Sequence, residues 1–574
     1  MNFKDIKRIF VAGASAGILV WGTAACVTVD TGLGQDYMPL EQQYDIFTCE
    51  WELEQMSQKR PTELSGYNTR RFTIGSIMDA EHGLTRKGSA FSLIPIVDTL
   101  DFGKNPKVRE FHFTAIRDTI NIPDERYRNI LQNVNVYAFE NSGKVLDSLS
   151  FTDELRNSDF SGCERITRGV PVYDGGDSLS FKFSDSWSNS LIQRFVDNSE
   201  DGVYILDSIP EYMEKVLPGI YICTDDASGD GGRIDMFNVA IKIENNYVMG
   251  NYAELKFSAE YDGEMRDSSF IFIFGAVAVP ENASNLPNQY AFNCTEIVGG
   301  CAEGPATDIL YVEGGDGVKP VVSAKELHSL LNQELRNNPN ILEYGIDLNQ
   351  VIINKASLEL PFIMPEDYTK MEIYPEILSP CCRLLVKDSL GVSHYTYANL
   401  TDASISSEKH GAVDRSNIRY DADISFHTQK MLSLGEEPSD STLANYDIWF
   451  LITKNEINET SSSSSSSSYD DYLNQMYYYN YLNQLYGGYG GYGYGGYGYG
   501  YGGYGSYGNY GYNNYYSMML YSNMLNSSSS SSTTSTSEEL DRDRFYAAKL
   551  CGPQNESRRP KLKISYSVPK RAIK

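Results

Sequence analysis

Six histidines, nine cysteines and 76 acidic residues are the groups in this chain suited to acid–base, nucleophilic or metal chemistry. The histidines (His82, His112, His328, His394, His410 and His427) show no His-Glu-x-x-His or other paired spacing, so no metalloprotease or zinc motif is read from them. There is no phosphate-binding Walker loop, and Gly229, Gly231 and Gly232 lie in an acidic loop, the wrong charge for phosphate. Two carboxylates at the right separation suffice for glycoside hydrolysis, and spacing in the sequence neither finds nor excludes such a pair. Asp225, Asp226 and Asp230, with Asp235 just beyond, cluster oxygen ligands of the kind calcium takes, as do Asp174 and Asp177. Asp and Gly are also ordinary turn formers, and the bland expectation is a turn in both places. No metal ligand and no cofactor is assigned on this basis. Eight cysteines (Cys49, Cys163, Cys223, Cys294, Cys301, Cys381, Cys382 and Cys551) are irregularly spaced without a Cys-x-x-Cys pair. Cys294 and Cys301 are near enough in sequence to staple a loop.

The elements that must carry these groups are mostly strands. Short alternating runs separated by Gly, Asp, Asn and Pro recur at 71–77, 89–97, 134–140, 178–183, 253–259, 270–274, 351–360, 447–453 and 562–568. In the last, Leu562, Ile564, Tyr566 and Val568 share one face at the strand's period of two. Helices are few. Asp185 caps a helix bearing Trp187, Leu191 and Phe195 on one face; Ser208 with Pro210 opens a second, ended by Pro218 and Gly219. Ser323 and Glu326 have capping-box spacing before a third. The expected fold is mostly β, with β-sandwich-like domains and a few packing helices. From Ser461 the composition breaks into serine runs around a Tyr/Gly tract, with 20 of the 43 tyrosines between Tyr469 and Tyr521. Such sequence buries too little aliphatic surface to offset backbone ordering, so 456–540 reads as a low-complexity disordered insertion. The strands at 447–453 and 562–568 flank it, and the simplest topology pairs them as one lengthened hairpin, since closure cost grows only as (3/2)RT ln n. The domain reading is a leader (1–25), a tether (26–43), an N-terminal β-rich domain (44–280), and a C-terminal one (281–455 with 541–574).

Lys4, Lys7 and Arg8 precede the apolar run 9–21, too short for a bilayer span of about 20 residues but matching the two regions of a signal peptide. The following Thr23-Ala24-Ala25-Cys26 resembles a bacterial lipobox, which implies that Cys26 is acylated and becomes the first mature residue. Thr23 departs from the usual leucine. Several acyl chains hold a protein on a bilayer where one does not. With 48 Lys and Arg against 76 Asp and Glu, the net charge is −28, which repels nucleic acid.

Ile74-Gly75-Ser76, Asp79 and His82-Gly83-Leu84-Thr85, then Leu217-Pro218-Gly219-Ile220-Tyr221-Ile222 and the run 353–361, resemble in order and spacing the Bacteroidota lipoproteins of domain of unknown function 4270. Ala80 and Glu81 depart from that pattern, and the Tyr/Gly tract is foreign to it. The resemblance implies an outer-membrane, outward-facing lipoprotein with a largely β fold and no assigned chemistry. Triplets of Asp, Ser or Thr and an apolar or Thr residue resemble the short O-glycosylation pattern of Bacteroidota, which makes Thr99, Thr119, Ser148, Ser178, Ser208, Ser389 and Ser441 acceptors by resemblance. The leading expectation is a non-catalytic lipoprotein, anchored through Cys26, that acts as a structural or binding subunit beside an outer-membrane β-barrel protein. The alternatives are a glycan- or host-surface-binding adhesin and a carbohydrate-active enzyme. In the adhesin reading, Tyr rings on a pliable Gly backbone stack on sugars.

Overall fold

In a computed structural model, residues 43–571 are described, apart from 62–63, 65, 69, 145, 147–154, 245–246, 276–289, 388–392, 401–409, 436 and 460–533. The leader, Cys26, Ser148, Ser389 and the Tyr/Gly tract therefore lie outside the described residues.

The chain is mostly β, and each alternating run named above falls on a strand. The first two strands, β1 (Tyr44–Glu52) and β2 (Met56–Lys59), pair with the C-terminal half of the protein. Next come β3 (Arg71–Asp79), β4 (Gly83–Pro95), β5 (Lys104–Asn121), β6 (Gly231–Asn238), β7 (Tyr252–Tyr261) and β8 (Glu264–Gly275). Their antiparallel ladders run β4–β3–β6–β5–β7–β8, and β8 then pairs back onto β4. The sheet thus closes into a six-membered ring, which leaves these strands without a free edge in the circuit. Its inward positions are filled by rings: Phe72 lies 5.2 Å from Phe91 and 5.0 Å from Phe237, and Phe274 lies 4.9 Å from Phe91 and 4.8 Å from Phe113. A small barrel has room for side chains alone, and phenylalanine fills it. β9 (Ala291–Val298) lies along β4.

The second half of the chain supplies β10 (Ile309–Glu313), β11 (Lys319–Val322), β12 (Ile352–Pro361), β13 (Ile377–Lys387), β14 (Ile448–Glu459), β15 (Thr534–Leu540), β16 (Ala547–Cys551) and β17 (Lys561–Pro569), and all but β10 and β16 join β1 and β2 in a second sheet. That sheet has twelve strands among the described residues, while β10 and β16 form a separate two-stranded ladder, bridged at Leu550 to Phe362. Leu562, Ile564, Tyr566 and Val568 are all buried on one face, as their spacing requires.

Two expectations are corrected by the ladders. β14 and β17 share the sheet but are not partners: β17 lies between β1 and β12, and β14 pairs β13, β11 and β15. The hairpin across the insertion is β14–β15, closed at Glu459 opposite Thr534, so both ends of 456–540 are strand. Nor do the sheets divide at residue 280. Residues 44–59 belong to the second sheet and β9 to the first. Period-two patterning names a strand but says nothing about which strand lies beside it.

The helices pack on the sheets. α1 (Asp185–Asp197) is capped by Ser184, whose Oγ accepts from the Trp187 amide, one residue before the expected Asp185. Leu191 and Phe195 are buried, and Trp187 stacks on Phe111. α2 (Ile209–Lys215) starts at Ser208 with Pro210 in its first turn. α3 (Ala324–Asn337) begins at Ser323, but the capping box does not form: Glu326 Oε1 instead accepts from the Glu54 and Gln55 amides, at 2.7 and 3.0 Å. Asp447 accepts from the Ala324 amide.

Candidate functional site at the seam between the sheets

Of the carboxylates that the sequence offered for calcium, Asp174, Asp177, Asp225, Asp226 and Asp235 are engaged by donors within the fold. Asp225 accepts from Asn133 and Asn135 at 2.7 Å, and Asp226 holds Arg86 through both oxygens at 2.7 and 2.8 Å. Asp235 is fully buried on β6 with Arg233, Nε to Oδ2 2.8 Å, and Arg233 in turn donates to the Arg128 and Ile130 carbonyls. Burial pushes its carboxyl up to about 6 against the pull of that guanidinium. Asp174 closes a turn by accepting from the Gly176 amide, and Asp177 pairs with Arg117. Both loops are irregular bends; Asp226 and Asp177 pair with arginines, Asp225 and Asp174 are held by neutral amides, and Asp230 contributes its main-chain carbonyl, which accepts from the Tyr127 hydroxyl.

Of the acceptor hydroxyls, Thr99, Ser178, Ser208 and Ser441 are exposed and Thr119 is half-buried within β5. Ser178 opens a strand paired with β5, Ser208 is the cap of α2, and Ser441 bonds Ser439 in a short helix. They are scattered over the first sheet, a separate two-stranded ladder and two helices. The eight cysteines are free thiols, and the proposed staple is absent: Cys294 Sγ donates to Gly88 O at 3.1 Å, while Cys301 turns toward His82.

What the fold does bring together is a buried polar seam between the ring of β3–β8 and the segment returning from β15. Asp543 accepts from Asn293 at 3.0 Å and Asn68 at 2.8 Å, with the Arg71 guanidinium 3.9 Å away. Arg71 also meets Glu456 at 3.0 Å and Asp118 at 3.4 Å. Asp541 takes Arg544 at 2.5 Å and the Tyr546 hydroxyl at 2.8 Å, and the Phe545 amide donates to Asn121 at the end of β5. Lys87 donates to Thr295 and to the Arg542 carbonyl. The two neighbouring carboxyls are tuned oppositely. Burial drives Asp543 up, with Asp541 adding to it, whereas for Asp541 the Arg544 contact overcomes burial and holds it low. Charges this deep persist only where each is paired and hydrogen-bonded. This network clamps the chain returning from the insertion onto the first sheet.

Beside it lies a second cluster, assembled from three distant segments. His82 sits in the β3–β4 turn, where Asp79 Oδ1 accepts from the His82 and Glu81 amides at 2.9 Å. Cys301 follows β9, and Glu313 ends β10. His82 Nδ1 is 3.5 Å from Glu313 Oε1 and 3.8 Å from Cys301 Sγ. All three are buried, at 3%, 8% and 1% exposure. Glu313 also accepts from the Cys301 and Val318 amides, at 2.8 and 3.1 Å. Burial raises its carboxyl, but the hydrogen bonds from His82 and these amides outweigh that and hold it below the ordinary range. Burial, aided by Glu313, keeps the Cys301 thiol well above its usual value. Lys319 stands behind Glu313, its ammonium caged by the carbonyls of Glu313, Gly315 and Gly317 at 2.5, 2.9 and 2.8 Å, and burial lowers it to about 7. Spacing could not reveal this trio, because 82, 301 and 313 meet only through the turn, the loop and the strand end.

The chain matches no family model, no curated protein and no solved structure.

Proposed function

We propose that this protein is a non-catalytic outer-membrane lipoprotein, held by acyl chains on Cys26 and facing the cell exterior. Its β body serves as a structural or binding subunit beside another outer-membrane protein, in keeping with its resemblance to the lipoproteins of domain of unknown function 4270. The observation that carries this reading is the segment 4–26: a basic start, a short apolar run and two small residues before a cysteine. Among the described residues, no helix is long and apolar enough to cross a membrane. Attachment through acyl chains needs none. The non-catalytic part is supported by the acidic side chains themselves, since Asp177, Asp225, Asp226, Asp541 and Asp543 each answer to an Arg or Asn neighbour.

Membrane fractionation with intact-mass analysis of the N-terminal peptide tests it. The expected species starts at Cys26, carries acyl chains and leaves the membrane fraction when Cys26→Ala is introduced. An unprocessed, unacylated chain in the cytosol overturns the proposal. Co-purification in detergent then separates the partner classes: a stoichiometric β-barrel protein supports the subunit role, and release of sugar from a glycan refutes the non-catalytic one.

A further inference from the structure

We propose that His82, Cys301 and Glu313 form a buried binding site for one borderline-soft divalent metal ion, of which zinc is the best match. Nδ1, Sγ and Oε1 all lie within 4.8 Å of one another. The edges from His82, 3.5 Å to oxygen and 3.8 Å to sulfur, are within a few tenths of an ångström of the roughly 3.4 and 3.6 Å edges of ligands sharing a tetrahedral ion with bonds of about 2.0–2.3 Å. The inference stands apart from the lipid-anchor reading and survives its failure.

The geometry discriminates between metal ligation and nucleophilic catalysis. In a Cys–His–carboxylate relay, the acid holds one ring nitrogen while the other faces the thiol. Here a single nitrogen, Nδ1, faces both Glu313 and Cys301, and Nε2 is buried without a hydrogen-bond partner. A thiol 8% exposed also offers a substrate no approach. Three different donor atoms converging on one point serve an ion instead. The donor set selects the class: sulfur and nitrogen exclude calcium and magnesium, which take oxygen, and suit zinc, cobalt or ferrous iron.

Glycines shape the space around the trio. A Cβ on Gly317 would lie 2.3 Å from Glu313 Cβ and 2.8 Å from Oε2, and one on Gly300 would lie 2.5 Å from Ile297 and 3.1 Å from Glu313 Oε1. Gly83, at φ +71° directly after His82, packs against the Val298 carbonyl. Only glycine at these positions lets the turn, the loop and the strand end close on one another. On binding, the Cys301 thiol gives its proton to solvent, and the freed sulfur lone pair forms the metal–sulfur bond. The thiolate and the Glu313 carboxylate then balance the two charges of the ion. Three protein ligands leave one tetrahedral position for water, and the ion pins the β3–β4 turn of the first sheet to β10.

The test uses the full chain, stripped with a chelator and titrated with Co²⁺ and then Zn²⁺. The expected result is close to one ion per chain, a thiolate-to-cobalt charge-transfer band and a melting temperature that rises with zinc. Cys301→Ser abolishes the band and weakens retention at least about tenfold, while Cys551→Ser keeps both. The cobalt titration of the unaltered chain decides the matter even where a variant fails to fold. No charge-transfer band, or the same band in folded Cys301→Ser, overturns the proposal.

Discussion

His427 provides a pH test of the second core. Its ring is buried in the helix Ser425–Leu432, with Nε2 donating to the Tyr446 carbonyl at 2.9 Å and Nδ1 facing Cys382 Sγ at 3.9 Å. Burial lowers its pKa from 6.5 to about 4, opposed only in part by the Tyr446 carbonyl. The unfolded chain therefore takes up the proton first as the pH falls. Its contribution to stability is fully present above 6.5 and is lost as the pH descends through about 4. A shift of about 2.5 units at 1.36 kcal/mol each sets an upper value of about 3 kcal/mol. The perturbation is His427→Gln, whose amide can still donate to Tyr446 but does not titrate. Urea midpoints for both proteins, taken from above pH 6.5 down to about 4, give the difference in stability, in which the other titrating groups cancel. That difference should shrink by about 2–3 kcal/mol across the window, because only the parent loses stability to His427. A constant offset over the whole range refutes the reasoning.

Asp543→Ala removes the acceptor of the Asn68 amide, leaves Asn293 with the Arg71 carbonyl alone and takes a carboxylate from beside Arg71, and should cost about 2–5 kcal/mol in denaturant unfolding, with Asp543→Asn losing less. Phe113→Ala opens a cavity among the rings of the closed sheet and should cost about 3–5 kcal/mol, read as a lower midpoint at unchanged denaturant slope. Gly75→Ala places a methyl 2.3 Å from the Arg233 carbonyl at a φ of +133°, and should lower the melting temperature more than Gly143→Ala, which also has positive φ but meets open space.

The sequence by itself determined which segments are strands, because a half-buried strand must alternate: Leu562, Ile564, Tyr566 and Val568 could face a core in no other local conformation of that length. It also placed three helices through their apolar residues and their Ser, Pro and Gly boundaries, but not the helix Ser425–Leu432, which lacks a side-chain cap. Three things were decided only in three dimensions. Strand partnership was one, since β1 beside β17 and β8 closing onto β4 depend on long-range burial that no local pattern encodes. The use of side chains was another: Glu326 reads locally as a capping-box residue, yet it serves the Glu54 and Gln55 amides, 272 and 271 residues away. The polar clusters were the third. Asp541 and Asp543 look like any acidic pair, and His82, Cys301 and Glu313 like isolated residues, until folding removes water around them. Ligand and ion-pair geometry is a matter of distances of a few ångströms, and the chain sets those only where distant segments meet.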